Sequence, residues 1–176
     1  MKKKHVFIIT IFLTTVVGVS FSIPTYVQKK VSKEIQKNFN ISSFELEPLI
    51  FESSNLIVSD FSKDRFFSVY NDQKLLGYAY IGTAPSKTDH FEYLVLFNPN
   101  LVILKAKVLV YREDYGGEIG SKRWLRQFEG KSVETNFLLQ KNIAAISGAT
   151  ISVKSMTSAI NRLNQSVYQL RLQQKI

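Results

Sequence analysis

The stretch 66–111, FFSVYNDQKLLGYAYIGTAPSKTDHFEYLVLFNPNLVILKAKVLVY, is dense in aromatic and β-branched residues and is cut only by short polar breaks. Phe66 to Tyr70 reads as a strand, Asn71-Asp72-Gln73 as a turn, and Lys74 to Thr83 as a second strand. Thr83 to Asp89, which holds Pro85 and Ser86, reads as a loop. Phe91 to Phe97 is another apolar run, Asn98-Pro99-Asn100 a turn, and Leu101 to Tyr111 a further strand. Three or four strands with connections this short predict an antiparallel meander.

Downstream the texture changes. Arg112 to Gly120, REDYGGEIG, carries three glycines in five positions. Ser121 to Glu129 reads as a short amphipathic helix with Trp124, Leu125 and Phe128 on one face, ended by Gly130. Val133 to Ile146 reads as mixed strand and loop. Val153, Met156, Ile160, Leu163, Val167 and Leu170 then recur at alternating spacings of three and four, one apolar stripe along a terminal helix. Ser152 is the predicted N-cap. Upstream, residues 27–47 read as helical and then irregular, with Pro48 as a breaker. The predicted fold class is α+β, a small antiparallel sheet packed by helices, with one N-terminal transmembrane helix.

That last element rests on Val6 to Ile23, 18 consecutive residues without a charge, preceded by Lys2, Lys3 and Lys4. About 20 apolar residues span a bilayer core, so this run predicts a spanning helix at the short end of the range. The competing reading is a cleaved signal peptide, whose apolar region runs to about 7–15 residues; Ser20-Phe21-Ser22 is a poor cleavage site for one. A short basic tail before a first apolar run normally stays in the cytoplasm, which places the rest of the chain outside the cytoplasmic membrane. The expected organisation is an anchor over 1–25, a juxtamembrane linker over 26–60 and a folded domain over 61–176.

The charge follows the same division. Residues 1–37 hold seven lysines and one acid, whereas the remaining 139 residues carry a net charge of only +3. The excess therefore belongs to the N-terminus and not to a basic face of the folded part, which argues against nucleic acid as a partner. The chain has no cysteine and two histidines, His5 and His90. Disulfides, iron–sulfur clusters and thiol redox are excluded, as is a metal site built on several histidines. Gly77 and Gly82 have P-loop spacing, but Thr83-Ala84 follows where Gly-Lys-Ser/Thr is required.

The segment Ile146-Ser147-Gly148-Ala149-Thr150-Ile151-Ser152 is small, hydroxyl-rich and leads straight into the terminal helix. A helix N-terminus presents unpaired N–H groups and partial positive charge, a natural seat for phosphate; a strand-to-helix turn with a capping serine has the same composition. ISGATISVKSMTSAI, residues 146–160, resembles the flavinylation motif of the FMN-binding domain family. That family includes the C subunit of sodium-translocating NADH:quinone oxidoreductase and the G subunit of Rnf-type electron-transport complexes. In its motif an Asp is followed two residues later by Ser/Thr-Gly-Ala-Thr, and the last threonine carries FMN through a phosphoester bond. Thr150 stands at that position, with Ser147, Gly148 and Ala149 around it. Arg112 to Gly120 occupies the place of the family's Glu-Thr-Pro-Gly loop near the isoalloxazine ring, with Glu113 and Gly116 matching, Asp114 at the threonine position and Tyr115 at the proline position. The family's Asp falls at Ala144. The similarity runs over about residues 66–170, within a domain then expected to bind FMN.

The resemblance implies FMN on Thr150, attached by a flavin transferase that uses FAD, or held noncovalently. Tyr115 and Trp124 are candidate ring contacts, although a lone Trp on an amphipathic helix usually faces the core. Cofactor chemistry would make the protein a membrane-tethered electron carrier between redox partner proteins. Two other classes stay open: a flavin-free interaction subunit of a membrane complex, which Ala144 favours, and a flavin reductase acting on a small molecule.

Overall fold

A computed structural model describes residues 23–51, 59, 61 and 65–176. The expected membrane anchor lies outside the described residues. Among the described residues no helix is long and apolar enough to cross a membrane.

Five strands form one antiparallel sheet in chain order: β1 (Glu45–Pro48), β2 (Phe66–Asn71), β3 (Lys74–Pro85), β4 (His90–Phe97) and β5 (Ile103–Val110). The fold is α+β, as the sequence predicts, with a strand more than the meander read from it. Asp72 and Gln73 form the β2–β3 turn with φ of 48° and 65° between the paired residues Asn71 and Lys74. Two successive positive φ values make a two-residue type I′ connection, whose twist suits a hairpin. Strand β3 continues two residues beyond Thr83, as far as Pro85, because Ala84 pairs with Phe91 and Pro85 with His90.

Both faces of the sheet are covered. Phe66, Tyr78, Tyr80, Phe91, Tyr93, Val95 and Phe97 face helix α3 (Thr150–Leu172), which buries Val153, Met156, Ile160, Leu163, Val167 and Leu170 against them. Phe67, Val69, Ala79, Ile81, Leu94 and Leu96 face helix α1 (Thr25–Phe39), which buries Val27, Val31 and Ile35. A strand covered on both sides loses the alternation of a half-solvated one, and this is why 91–97 reads as an unbroken apolar run. The expected linker, 26–60, thus contributes α1 and β1 to the packed unit.

Three sequence readings are corrected. Glu45–Pro48 forms edge strand β1 rather than an irregular segment, held by pairing with Tyr70 through Phe67. The helix expected over 121–129 is one turn, α2 (Lys122–Leu125), followed by further turns as far as Gly130. Residues 133–146 form no strand; instead Asn161 of α3 takes Phe137 N–H at 2.9 Å and donates to Phe137 O at 2.8 Å, replacing a strand partner with one side-chain amide. The outer edge of β5 is closed by Gly130 N–H on Ile103 O and Ile103 N–H on Lys131 O, both 2.8 Å. Covering an edge in this way removes unpaired groups that would otherwise template aggregation.

Candidate functional site

The Ser-Gly-Ala-Thr turn delivers the chain from α2's neighbourhood into α3. Gly148 takes the left-handed conformation, φ 78°, and Ala149 N–H bonds Ile146 O at 3.2 Å, closing the turn. Helix α3 starts at Thr150, with Ala149 at the cap position. Ser152 is therefore inside the first turn and is not the N-cap; its hydroxyl is spent on Tyr111. Alanine supplies no side-chain acceptor at the cap, so the first-turn N–H groups keep their capacity for an external anion.

Tyr111, at the end of β5, ties this turn to the glycine loop. Its hydroxyl donates to Tyr115 O at 3.2 Å, which leaves Ser152 Oγ, 3.0 Å away, as the donor to it. Gly116, φ 80°, lies beneath: a Cβ there would come within 3.0 Å of both Ala149 Cβ and the Tyr111 hydroxyl. Only a residue without a side chain lets the loop lie this close to the turn before Thr150.

Between the two segments is a cleft of about 490 Å³ lined by Lys87, Tyr111, Glu113, Tyr115, Gly148, Ala149, Thr150, Ile151 and Ser152. Volumes of roughly 300–1,000 Å³ suit small ligands and cofactors. Thr150 is exposed in it, and the ring of Tyr115 is 84% exposed, a large flat apolar surface standing in solvent at the cleft. Of the predicted site residues, Gly148, Ala149, Thr150, Glu113 and Tyr115 come together here; Gly116 supports the floor, and Ser147 is on the turn outside the lining. Trp124 is elsewhere. It is 4% exposed, edge-on to Phe128 at 5.3 Å, and its indole N–H donates to Ala144 O at 2.7 Å.

Ala144 is thereby fixed from two sides, because its N–H donates to Gln127 Oε1 at 2.7 Å. The residue where the family carries Asp is exposed, and its backbone is held by side chains from the α2 region.

Glu113 has an unexpected use. Its carboxylate accepts from Thr88 N–H at 2.7 Å, Thr88 Oγ1 at 2.9 Å and Asp89 N–H at 3.2 Å. Hydrogen bonds from the Ser86 hydroxyl and the Thr88 backbone, joined by those from the Thr88 side chain and Asp89, hold it down at a pKa of about 2. The residue read as a cofactor contact is a clasp on the β3–β4 loop, and that loop brings Lys87 to the cleft. Lys87 and Tyr111 were not read from sequence: Lys87 sits in a plain polar loop, and Tyr111 appears only as the end of a strand. Among the described residues no group of His, Asp and Glu is placed to hold a metal.

An exposed nucleophilic hydroxyl at an uncapped helix start, a flat aromatic surface and a cation around one cofactor-sized cleft suit a phosphate-bearing, planar ligand. Residues 88–165 match the family model of the FMN-binding domain. Among solved structures it is similar to the crystal structure of Shewanella oneidensis NqrC, 12% identical, with a TM-score of 0.59, over 83% of this chain and 98% of that one. At that identity the likeness is one of fold. No curated protein sequence matches the chain.

Proposed function

We propose that the protein is a membrane-anchored flavoprotein that carries electrons outside the cytoplasm through FMN esterified to Thr150. The observation that carries this reading is the exposed Thr150 at the first turn of α3, opening into the cleft beside Lys87 and Tyr115. Bound FMN supplies one- and two-electron redox chemistry that no side chain of this chain offers. The chain's own residues bind and orient. Thr150 Oγ1 is the nucleophile presented to a flavin transferase: its bond to the flavin-side phosphorus of FAD forms as the anhydride bond breaks, AMP leaves, and the hydroxyl proton passes to the transferase. The uncapped first-turn N–H groups and the positive end of α3 favour the anionic phosphodiester. Tyr115 offers a stacking face, and Gly116 lets the glycine loop lie close against Ala149.

We propose 1–25 as anchor and 61–176 as the FMN-binding domain, with 26–60 between them lending α1 and β1 to the packed unit. Val6 to Ile23 supports the anchor by length and the short basic tail supports the orientation. Partners on this reading are a transferase and the electron donors and acceptors of a membrane oxidoreductase complex. The test is the intact mass of protein isolated from its native membrane beside Thr150→Ala. A gain of one FMN, lost in the variant, is the expected result; an unmodified protein without bound flavin overturns the reading in favour of a flavin-free interaction subunit.

A further inference from the structure

We propose that Lys87 is the phosphate-reading residue of the cleft, a counter-charge held in place by the β3–β4 loop; this rests on the FMN-binding reading above. Lys87 and Glu113 are the two charged residues lining the cleft, and Lys87 is its one basic residue among the described residues. It forms no ion pair among the described residues. Glu113 stays ionised through the physiological range. A cofactor phosphate entering a cleft with Glu113 and without Lys87 would meet no side-chain cation to offset that like charge. With Lys87 present, the Glu113 charge is offset and the cleft holds a cation that can pair with the incoming phosphate.

The loop that carries that cation is tied down on both sides. Ser86 N–H donates to Asp89 O at 2.7 Å, closing residues 86–89 into a tight turn. Glu113 grips Thr88 and Asp89 from the β5 side. Ser155 of α3 grips the other end, its hydroxyl donating to Pro85 O. Five residues on from Thr150, Ser155 fixes the loop to the same helix that offers the nucleophile. The backbone on either side of Lys87 is thus tied to both walls of the cleft, which fixes where its side chain starts.

The test uses the full chain in detergent with Thr150→Ala, so that flavins bind reversibly, and titrates FMN and riboflavin separately. These ligands differ by the phosphate alone. The expected result is tighter binding of FMN, with Lys87→Gln lowering the FMN-to-riboflavin preference by roughly three- to tenfold, riboflavin affinity unchanged, and Lys87→Arg keeping the preference. Raising the salt concentration should shrink the preference in the protein that keeps Lys87 more than in Lys87→Gln. An unchanged preference in Lys87→Gln overturns the inference while leaving the flavoprotein reading intact. Parallel loss of FMN and riboflavin binding makes Lys87 a wall residue and likewise overturns it. Absence of FMN from the native protein together with no uptake of either flavin removes the parent reading and this one with it. Equal melting temperatures with and without the Lys87→Gln substitution exclude misfolding as the cause.

Discussion

Arg112 meets Glu92 through two parallel bonds, Nη1 on Oε2 and Nη2 on Oε1, each 2.8 Å. Tyr26 of α1 donates to the same carboxylate at 2.8 Å. Arg112 thus joins β4 and the first turn of α1, while its neighbour Glu113 clasps the loop that carries Lys87. The backbone around 112–113 connects the two sides of the sheet.

Removing one partner of this pair exposes the cost of the other. Glu92 is 8% exposed, and Arg112→Ala leaves its charge with Tyr26 alone. The expected loss is about 1–3 kcal/mol at neutral pH by urea unfolding of the purified protein. Burial pushes the Glu92 carboxyl up, but hydrogen bonds from Arg112 and Tyr26 overcome it, and the net shift is downward. The ionised form is therefore favoured by folding; its contribution is complete above the ordinary carboxylate range and fades as pH falls through the lowered value. The gap between wild type and Arg112→Ala should narrow in acid.

Glu113→Gln keeps the shape and removes the charge from the clasp. Faster amide exchange is expected at Thr88 and Asp89, whose N–H groups bond that carboxylate. In the wild type the same amides should stay protected through ordinary acidic conditions and lose protection between about pH 4.5 and 2, since the folded value is about 2 against 4.5. A protection factor that already falls above pH 5 would contradict this.

Two left-handed glycines should respond differently to alanine. At Gly148 the added carbon meets nothing within 4 Å, so Gly148→Ala carries only the conformational penalty, roughly 1–2 kcal/mol. At Gly116 the same penalty is joined by 3.0 Å approaches to Ala149 and Tyr111. Gly116→Ala is expected to melt at a lower temperature than Gly148→Ala and to carry less flavin, measured as the flavin-to-protein absorbance ratio.

Trp124→Phe separates a packing role from a cofactor contact. The variant strips Ala144 O of its 2.7 Å donor and leaves a gap beside Phe128. A stability loss of about 2–4 kcal/mol is expected, with the visible absorption band of bound flavin unmoved. A shifted band at unchanged stability would put the indole against the ring instead.

Strands β2 to β5 and the stripe on α3 are legible in the sequence because burial on one or both faces writes itself into the residue pattern. Strand β1 is not: Glu45-Leu46-Glu47-Pro48 has two acids and a proline, and it is a strand only because β2 supplies a partner. Residues 133–137 look strand-like but are satisfied by Asn161 and Asn164 side chains, a long-range substitution that periodicity cannot register. The Ser-Gly-Ala-Thr turn is legible as a motif. Lys87 is not, since its loop is placed only by hydrogen bonds to Glu113 and from Ser155, residues distant along the chain.

The double-sided sheet has a consequence for traffic. Helix α1 occupies one face, and Thr150 opens on the other. Packed layers stand about 10 Å apart, so a route from Thr150 through the sheet to the α1 side crosses two such spacings. Tunnelling over that span is slow beside direct approach at the open cleft. If the protein carries electrons as proposed, it has one usable door: whatever reduces it and whatever oxidises it must take turns on the α3 face.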